Sequence, residues 1–249
     1  MAQLTIVADK TAMSEAAAER ITSLVEAAVN ARGVAAVSLT GGTSPDPLYR
    51  FLADRNRPWR DRIEWGRLHL FWGDEREVPP DHPESNFGLA NRLLLHLVPV
   101  PATQIHRMRG ELPASDAGRL YDALLRARRD QVAGPLFDVM LLGIGANAHI
   151  ASIFPNSPLL ERSEQLAAGV HVPEISQWRI TMTDAALLDS STIIVIASGS
   201  SKADAVSAAL EGAPDVARYP AQLLRAAGAR VEWIIDSAAS ARLRGAPPV

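Results

Sequence analysis

The chain has no cysteine among its 249 residues. That absence excludes disulfides, thiolate metal sites and thiol nucleophiles together, and makes the cytoplasm the expected location. A basic excess is missing too, since 25 Lys and Arg stand against 28 Asp and Glu, a formal charge of −3, with a pI near 6.1. Without a positive field, neither nucleic acid nor an anionic membrane surface is expected as a partner. No apolar stretch approaches the roughly 18 residues that a membrane-spanning helix requires. The opening "MAQLTIVADK" holds only a short apolar run that ends in charge, unlike a signal peptide. Long internal repeats and low-complexity linkers are lacking. So are a metal spacing such as H-E-x-x-H, a Walker loop and a dinucleotide-binding glycine fingerprint.

What is present is ample core material, 47% hydrophobic against 21% charged residues. The apolar runs are short, β-branched and mostly unalternating, as in strands buried on both faces of a parallel sheet. They predict strands at 4–8, 34–39, 68–73, 104–108, 137–143, 179–183, 192–197 and 231–235. Helical periodicity fills several of the gaps. Over 13–32, Ala17, Ile21, Leu24, Val25 and Ala28 share one face, Arg32 suits the last turn and Gly33 the C-terminal cap. Over 115–130, Leu120, Leu124 and Leu125 are expected to point inward and the charges of "RARRD" outward, a solvated face near a helix C-terminus. Strands alternating with helices predict an α/β fold: a mostly parallel, Rossmann-like sheet with helices on both faces, a three-layer α/β/α sandwich. Residues 1–249 read as one domain with a small excursion around 155–180. The stretch 74–91, "DEREVPPDHPESNFGLAN", reads as a long loop, and long loops in compact domains often carry function.

Ligands of such sheets gather at the carboxyl ends of the strands, which directs attention to the polar groups there. In "SLTGGTSPDPLYR", Gly41 and Gly42 allow a tight turn, and Ser44 with Pro45 suits a helix N-cap and first turn. Backbone N–H groups there can bind an anion, although a plain strand-to-helix turn is equally open. In "LHLFWGDEREV", Asp74, Glu75 and Arg76 follow a buried strand and, taken alone, read as the chain reaching water. In "LLGIGANAHIAS", His149 follows the flexible Gly143-x-Gly145 turn, the only one of six histidines so placed. Ser152 would share its face if a helix begins there. Arg179 opens "RITMT", and Lys202 in "SGSSKADAV" stands at the opening of a helix, where a cation can meet a bound anion.

In this order and spacing, "LTGGTSP", "FWGDEREVPPDHPESN", "LLGIGANAHIASIFP", "RITMT", "SGSSKA" and "VEWIIDSAA" resemble the 6-phosphogluconolactonase family, whose fold is shared with glucosamine-6-phosphate deaminase. The matching pieces span nearly the whole chain. The resemblance implies hydrolysis of 6-phospho-D-glucono-1,5-lactone to 6-phosphogluconate in the oxidative pentose phosphate pathway. It implies no metal and no organic cofactor, a phosphosugar lactone as the small-molecule partner, and a monomer or small homo-oligomer. His149 would act as general base on water, Arg76 as the oxyanion partner, and Asp74 would orient Arg76 or a sugar hydroxyl. The phosphate would fall to Thr43, Ser44, Arg179 and Lys202 with the backbone of Gly41 and Gly42, and Asn147 and Ser152 complete the substrate-binding set. Deaminases of this fold have an aromatic after the Asp-Glu pair and a glutamate five residues beyond the histidine. Here those places hold Arg76 and Phe154, which favours the lactonase.

One departure stands out. The family's usual Asp-Gly before the histidine is Asn147-Ala148 in this chain. An amide cannot carry the charge that stabilises an imidazolium, and alanine is costly if the turn needs φ > 0. A divergent, weakly active paralogue and a non-catalytic phosphosugar-binding protein therefore stay open as alternatives. The lactonase ranks first because His149, Arg76, Arg179 and Lys202 are all retained.

Overall fold

The structure is a computed structural model that describes residues 2–161 and 164–244. Met1, residues 245–249, and Arg162 and Ser163 within the expected excursion lie outside the described residues. The described residues form nine strands: β1 (Gln3–Val7), β2 (Ala35–Leu39), β3 (Leu68–Trp72), β4 (Asp74–Arg76), β5 (Phe137–Gly143), β6 (Ala167–Val172), β7 (Gln177–Met182), β8 (Ser190–Ala197) and β9 (Val231–Asp236). Six of them build one sheet in the order β1-β9-β8-β5-β2-β3, and every pairing in it is parallel.

The unalternating apolar runs find their reason in two cores. Successive side chains of a strand point to opposite faces, so a strand covered on both sides needs apolar residues at every position. In β5, Val139 and Leu141 enter one core while Met140 and Leu142 enter the other. Ile194 and Ile196 of β8 likewise oppose Ile193 and Val195. The helix Lys10–Arg32 covers the first face with Met13, Ala17, Ile21 and Val25. Its N-cap is Asp9, whose carboxylate accepts from the Ala12 amide at 2.9 Å, and Gly33 ends it at φ 76°. The helices Ala114–Arg129 and Ala203–Glu211 cover the second face. These are the three layers that the alternation of elements predicts.

Several expectations are corrected. Residues 104–108 do not form a strand: they make one bridge, Leu70 to Ile105, and one further bond from the His106 amide to the Leu70 carbonyl at 2.8 Å. The segment enters from a single turn at Ala102–Gln104 and leaves towards Gly110, which lies against the Arg76 and Val78 carbonyls, so its parallel pairing with β3 stops after this one bridge. The apolar run at 179–183 belongs to β7, outside the parallel sheet. It is the middle strand of a second, antiparallel sheet, β4-β7-β6, in which β4 and β6 were not foreseen. The stretch 74–91 is no continuous loop, for it holds β4 and the helix Asn86–Leu93. Leu120 is exposed. The inward face of its helix is Ala114, Ala117, Gly118, Tyr121 and Leu125, a stripe one residue out of phase with Leu120. Ser44 caps nothing, because the helix Asp46–Ala53 starts after Pro45 without a side-chain cap.

Candidate active site

Strand order reverses between β2 and β5: the chain moves from β2 outward to β3, and from β5 outward through β8 to β9. Ligands of open α/β sheets bind at such a reversal, beyond the carboxyl ends of the two strands. Only Val37 with Val139 and Ser38 with Met140 are paired across it. Past them the Gly143 amide donates to Thr40 Oγ1 at 3.3 Å, and the turns 41–44 and 143–149 flank the opening. The first turn is held tightly. A Cβ on Gly41 would fall 1.7 Å from Asn86 Oδ1, Gly42 has φ 80°, and Lys10 Nζ donates to the Thr43 carbonyl at 2.7 Å.

While Arg76 stays partly exposed, the other two of the three charges after β3, Asp74 and Glu75, do not meet water as read from sequence, because Gly73 turns the chain into the second sheet. Its amide donates to the Leu39 carbonyl at 3.0 Å and its carbonyl accepts from the Met182 amide at 2.8 Å. Glu75 is buried, and its carboxylate accepts from the amides of Arg76, Asn86 and Phe87 and from Ser85 Oγ at 2.7–3.0 Å, closing the N-terminus of the helix Asn86–Leu93. Burial pushes its carboxyl upward while those bonds oppose the shift. Asp74 is buried as well. Its Oδ2 accepts from Ser152 Oγ at 2.6 Å and its Oδ1 from Asn86 Nδ2 at 3.0 Å, so its partners are these two and not the Arg76 guanidinium.

Arg76 and Arg179 are directly paired across β4 and β7. Arg76 Nη1 donates to the Glu84 carbonyl at 3.0 Å and Arg179 Nη2 to Gln177 Oε1 at 2.6 Å. Arg76 Nε and Arg179 Nε and Nη1 are buried without a partner among the described residues. Burial, followed by the neighbouring Arg76 charge, weakens the hold of Arg179 on its proton. Burial does the same to Lys202.

No helix begins after His149. Ile150 and Ile153 form a bridge, and Ser152 is turned to Asp74 and, through its amide, to Thr181 Oγ1 at 3.2 Å. Ala148 has φ 63°, so it carries the left-handed strain that the Asn-Ala departure raised, and Ala151, at φ 47°, adds a second strained position beyond the histidine. The ring lies over Gly145, where a Cβ would fall 2.1 Å from Nδ1, and stacks on Phe154 with centroids 4.0 Å apart and planes 14° apart. Its Nδ1 is 2.7 Å from Asn147 Oδ1. An amide oxygen only accepts, so Nδ1 carries the proton and Nε2 keeps its lone pair. The imidazole is pushed down to about 4, by burial first; Asp74 opposes this, and Lys202, Arg179 and Arg76 add to it.

Two adjoining cavities meet at this histidine. One, of about 370 Å³, is lined by Gly41, Gly42, Thr43, Ser44 and Lys202, and the other, of about 390 Å³, by Asn147, Ser152, Phe154, Glu174 and Arg179. Asp74, Arg76, Ala146, His149 and Ala151 line both. The structure thus brings Lys202 together with the 41–44 turn, and sets Arg179 in the neighbouring cavity beside Arg76. Among the described residues no three His, Asp or Glu side chains converge as a metal site would need. Three residues in these contacts escaped the sequence reading. Asn86 stood in a quoted motif without a role, Glu75 resembled a surface charge, and Glu174 comes from the link between β6 and β7 with no local signal.

The model of the family described as glucosamine-6-phosphate isomerases/6-phosphogluconolactonase matches residues 8–233. The chain belongs to this family. A 6-phosphogluconolactonase of Streptomyces coelicolor is 38% identical over 250 residues, covering 97% of this chain and 94% of that protein. One of Mycobacterium tuberculosis is 38% identical over 248 residues, covering 94% and 96%. The solved 6-phosphogluconolactonase of Trypanosoma brucei superposes with a TM-score of 0.83 at 26% identity, over 98% of this chain and 99% of that one. A monomeric glucosamine-6-phosphate deaminase shares the fold, with a TM-score of 0.80 at 22% identity over 96% and 99%. In this family member no described helix is long and apolar enough to cross a membrane.

Proposed function

We propose that the protein hydrolyses 6-phospho-D-glucono-1,5-lactone to 6-phosphogluconate. The observation that carries this reading is the placing of His149, its Nε2 unprotonated, between a guanidinium pair and a lysine where two cavities meet. The substrate brings one permanent anion, its phosphate, and develops a second on the carbonyl oxygen. Lys202, Thr43 and Ser44 with the backbone of Gly41 and Gly42 suit the first, and Arg76 suits the second. A well-placed oxyanion donor contributes about 3 kcal/mol. Arg179 adds positive charge beside Arg76, and the buried unpartnered donors of both are groups that an anionic ligand satisfies.

His149 Nε2 takes a proton from water as the water oxygen bonds to the lactone carbonyl carbon. The tetrahedral adduct then expels the ring oxygen, which receives that proton and leaves as a hydroxyl. Asp74, held by Ser152 and Asn86, is left to accept from a sugar hydroxyl. The names of the curated relatives support a lactonase over a non-catalytic binder. Arg76 and Phe154 support it over a deaminase.

The test is hydrolysis of freshly generated lactone, with the spontaneous rate subtracted, for the protein and its His149→Ala variant. Fast turnover by the former alone, and no ammonia from glucosamine 6-phosphate, is expected. Equal rates for both proteins overturn the assignment of the base.

A further inference from the structure

Asn147 uses both ends of its amide. Its Oδ1 receives His149 Nδ1 at 2.7 Å and the His149 amide at 3.3 Å, while its Nδ2 lies 3.1 Å from each carboxylate oxygen of Glu174. A free asparagine can present either its oxygen or its NH₂ to a histidine, and the second choice selects the wrong tautomer. Glu174 removes that freedom. A carboxylate only accepts, so the NH₂ must face it and the oxygen must face the imidazole. Glu174 stands on a one-turn helix, Pro173–Ile175, between β6 and β7, so the second sheet delivers it to the cavity that Arg179 also lines.

Resting on the reading of His149 as base, we propose that Glu174 is a positioning residue: acting through the Asn147 amide, it keeps His149 Nε2 unprotonated and supplies, one hydrogen bond further out, the negative charge that the loop next to the histidine lacks. In the reaction the proton moves only between water, His149 Nε2 and the leaving oxygen. Glu174 and Asn147 stay in their protonation states, and the chain Glu174 to Asn147 to His149 orients the ring and balances the imidazolium.

The chain makes an unusual demand on substitutions. Asn147→Asp restores an acid beside the histidine but sets it against the Glu174 carboxylate, two acceptors with no proton between them. Asn147→Asp with Glu174→Gln restores donor against acceptor, with the charge moved inward.

The experiment measures kcat, KM and the ¹⁵N shifts of the His149 ring in the protein, in Glu174→Ala, in Asn147→Asp and in the double variant. Glu174 is exposed, and its replacement leaves no buried gap. Expected for Glu174→Ala is a fall in kcat of about 10- to 100-fold, by analogy with the loss of an orienting partner behind a metal-bound histidine, with KM unchanged and an Nε2-protonated population appearing in the spectrum. The double variant is expected to turn over faster than Asn147→Asp alone. An unchanged tautomer in Glu174→Ala, or a double variant no faster than Asn147→Asp, overturns the proposal. The tautomer is read without substrate, so this outcome is separable from failure of the base assignment, which His149→Ala tests.

Discussion

The rings of His149 and Phe154 lie nearly parallel, 4.0 Å apart, so the residue standing where deaminases of this fold carry a glutamate is in contact with the histidine itself. An apolar ring there keeps water from the imidazole and contributes to its low proton affinity, for which burial is the first cause.

That contact sets a pH profile. A general base works unprotonated, so kcat/KM falls as pH drops through the histidine pKa, which lies at about 4 in the free protein. Phe154→Ala admits water and is expected to move the acid limb upward, towards the ordinary histidine value of about 6.5. The measurement is kcat/KM across that range, with the folded state checked by circular dichroism. An unmoved limb sinks either the burial effect or the histidine as the titrating group.

Lys202 and the 41–44 turn share a cavity that Arg179 does not line. Lys202→Ala is therefore expected to raise KM for the phosphorylated lactone by tenfold or more, on the order of the 1.5–3 kcal/mol of a charged hydrogen bond, and to leave a neutral lactone unaffected. Equal losses on both substrates would remove the lysine from the phosphate.

Ala148 is wholly buried and has φ 63°, a conformation that costs an L side chain about 1 kcal/mol. Ala148→Gly relieves the strain, while the extra freedom of glycine in the unfolded chain returns part of the gain. A net stabilisation of up to about 1 kcal/mol is expected in urea unfolding. Loss of stability would mean that the turn prefers its methyl group.

His69 and His106 stack with centroids 5.2 Å apart and share a hydrogen bond of 2.9 Å. Burial first, then the charges of His69 and Arg128, push His106 down to about 4, and burial with Arg128 lowers His69 as well. Unfolded histidines titrate near 6.5. Between about 6.5 and 4 the unfolded chain binds protons that the folded pair refuses, so stability is full above that window and is lost as pH falls through it. His106→Gln is expected to flatten the fall in the urea midpoint between about pH 7 and 5. An equally steep fall in the variant would place the acid sensitivity elsewhere.

The sequence by itself determined the parallel sheet and most of its strands, because apolar side chains at every position, as in "TIIVIA", can be satisfied only between two cores. It determined the cap at Gly33 through local backbone conformation, and it singled out His149, Arg76, Arg179 and Lys202 through motif order. The second sheet was not legible, since "DER" has no strand propensity and becomes β4 only by pairing with β7, about a hundred residues away. For the same reason Asp74 and Glu75 read as surface charges. Their burial depends on Ser152, Asn86 and the amides of the helix Asn86–Leu93, which no local pattern announces. The missing acid beside His149 was visible as an absence, and where a carboxylate stands instead was not. Glu174 reaches Asn147 from 27 positions along the chain, and only the folding of the second sheet onto the sheet reversal brings them together. Periodicity and local conformation are written residue by residue, whereas a hydrogen-bond partner is fixed by the three-dimensional path of the chain.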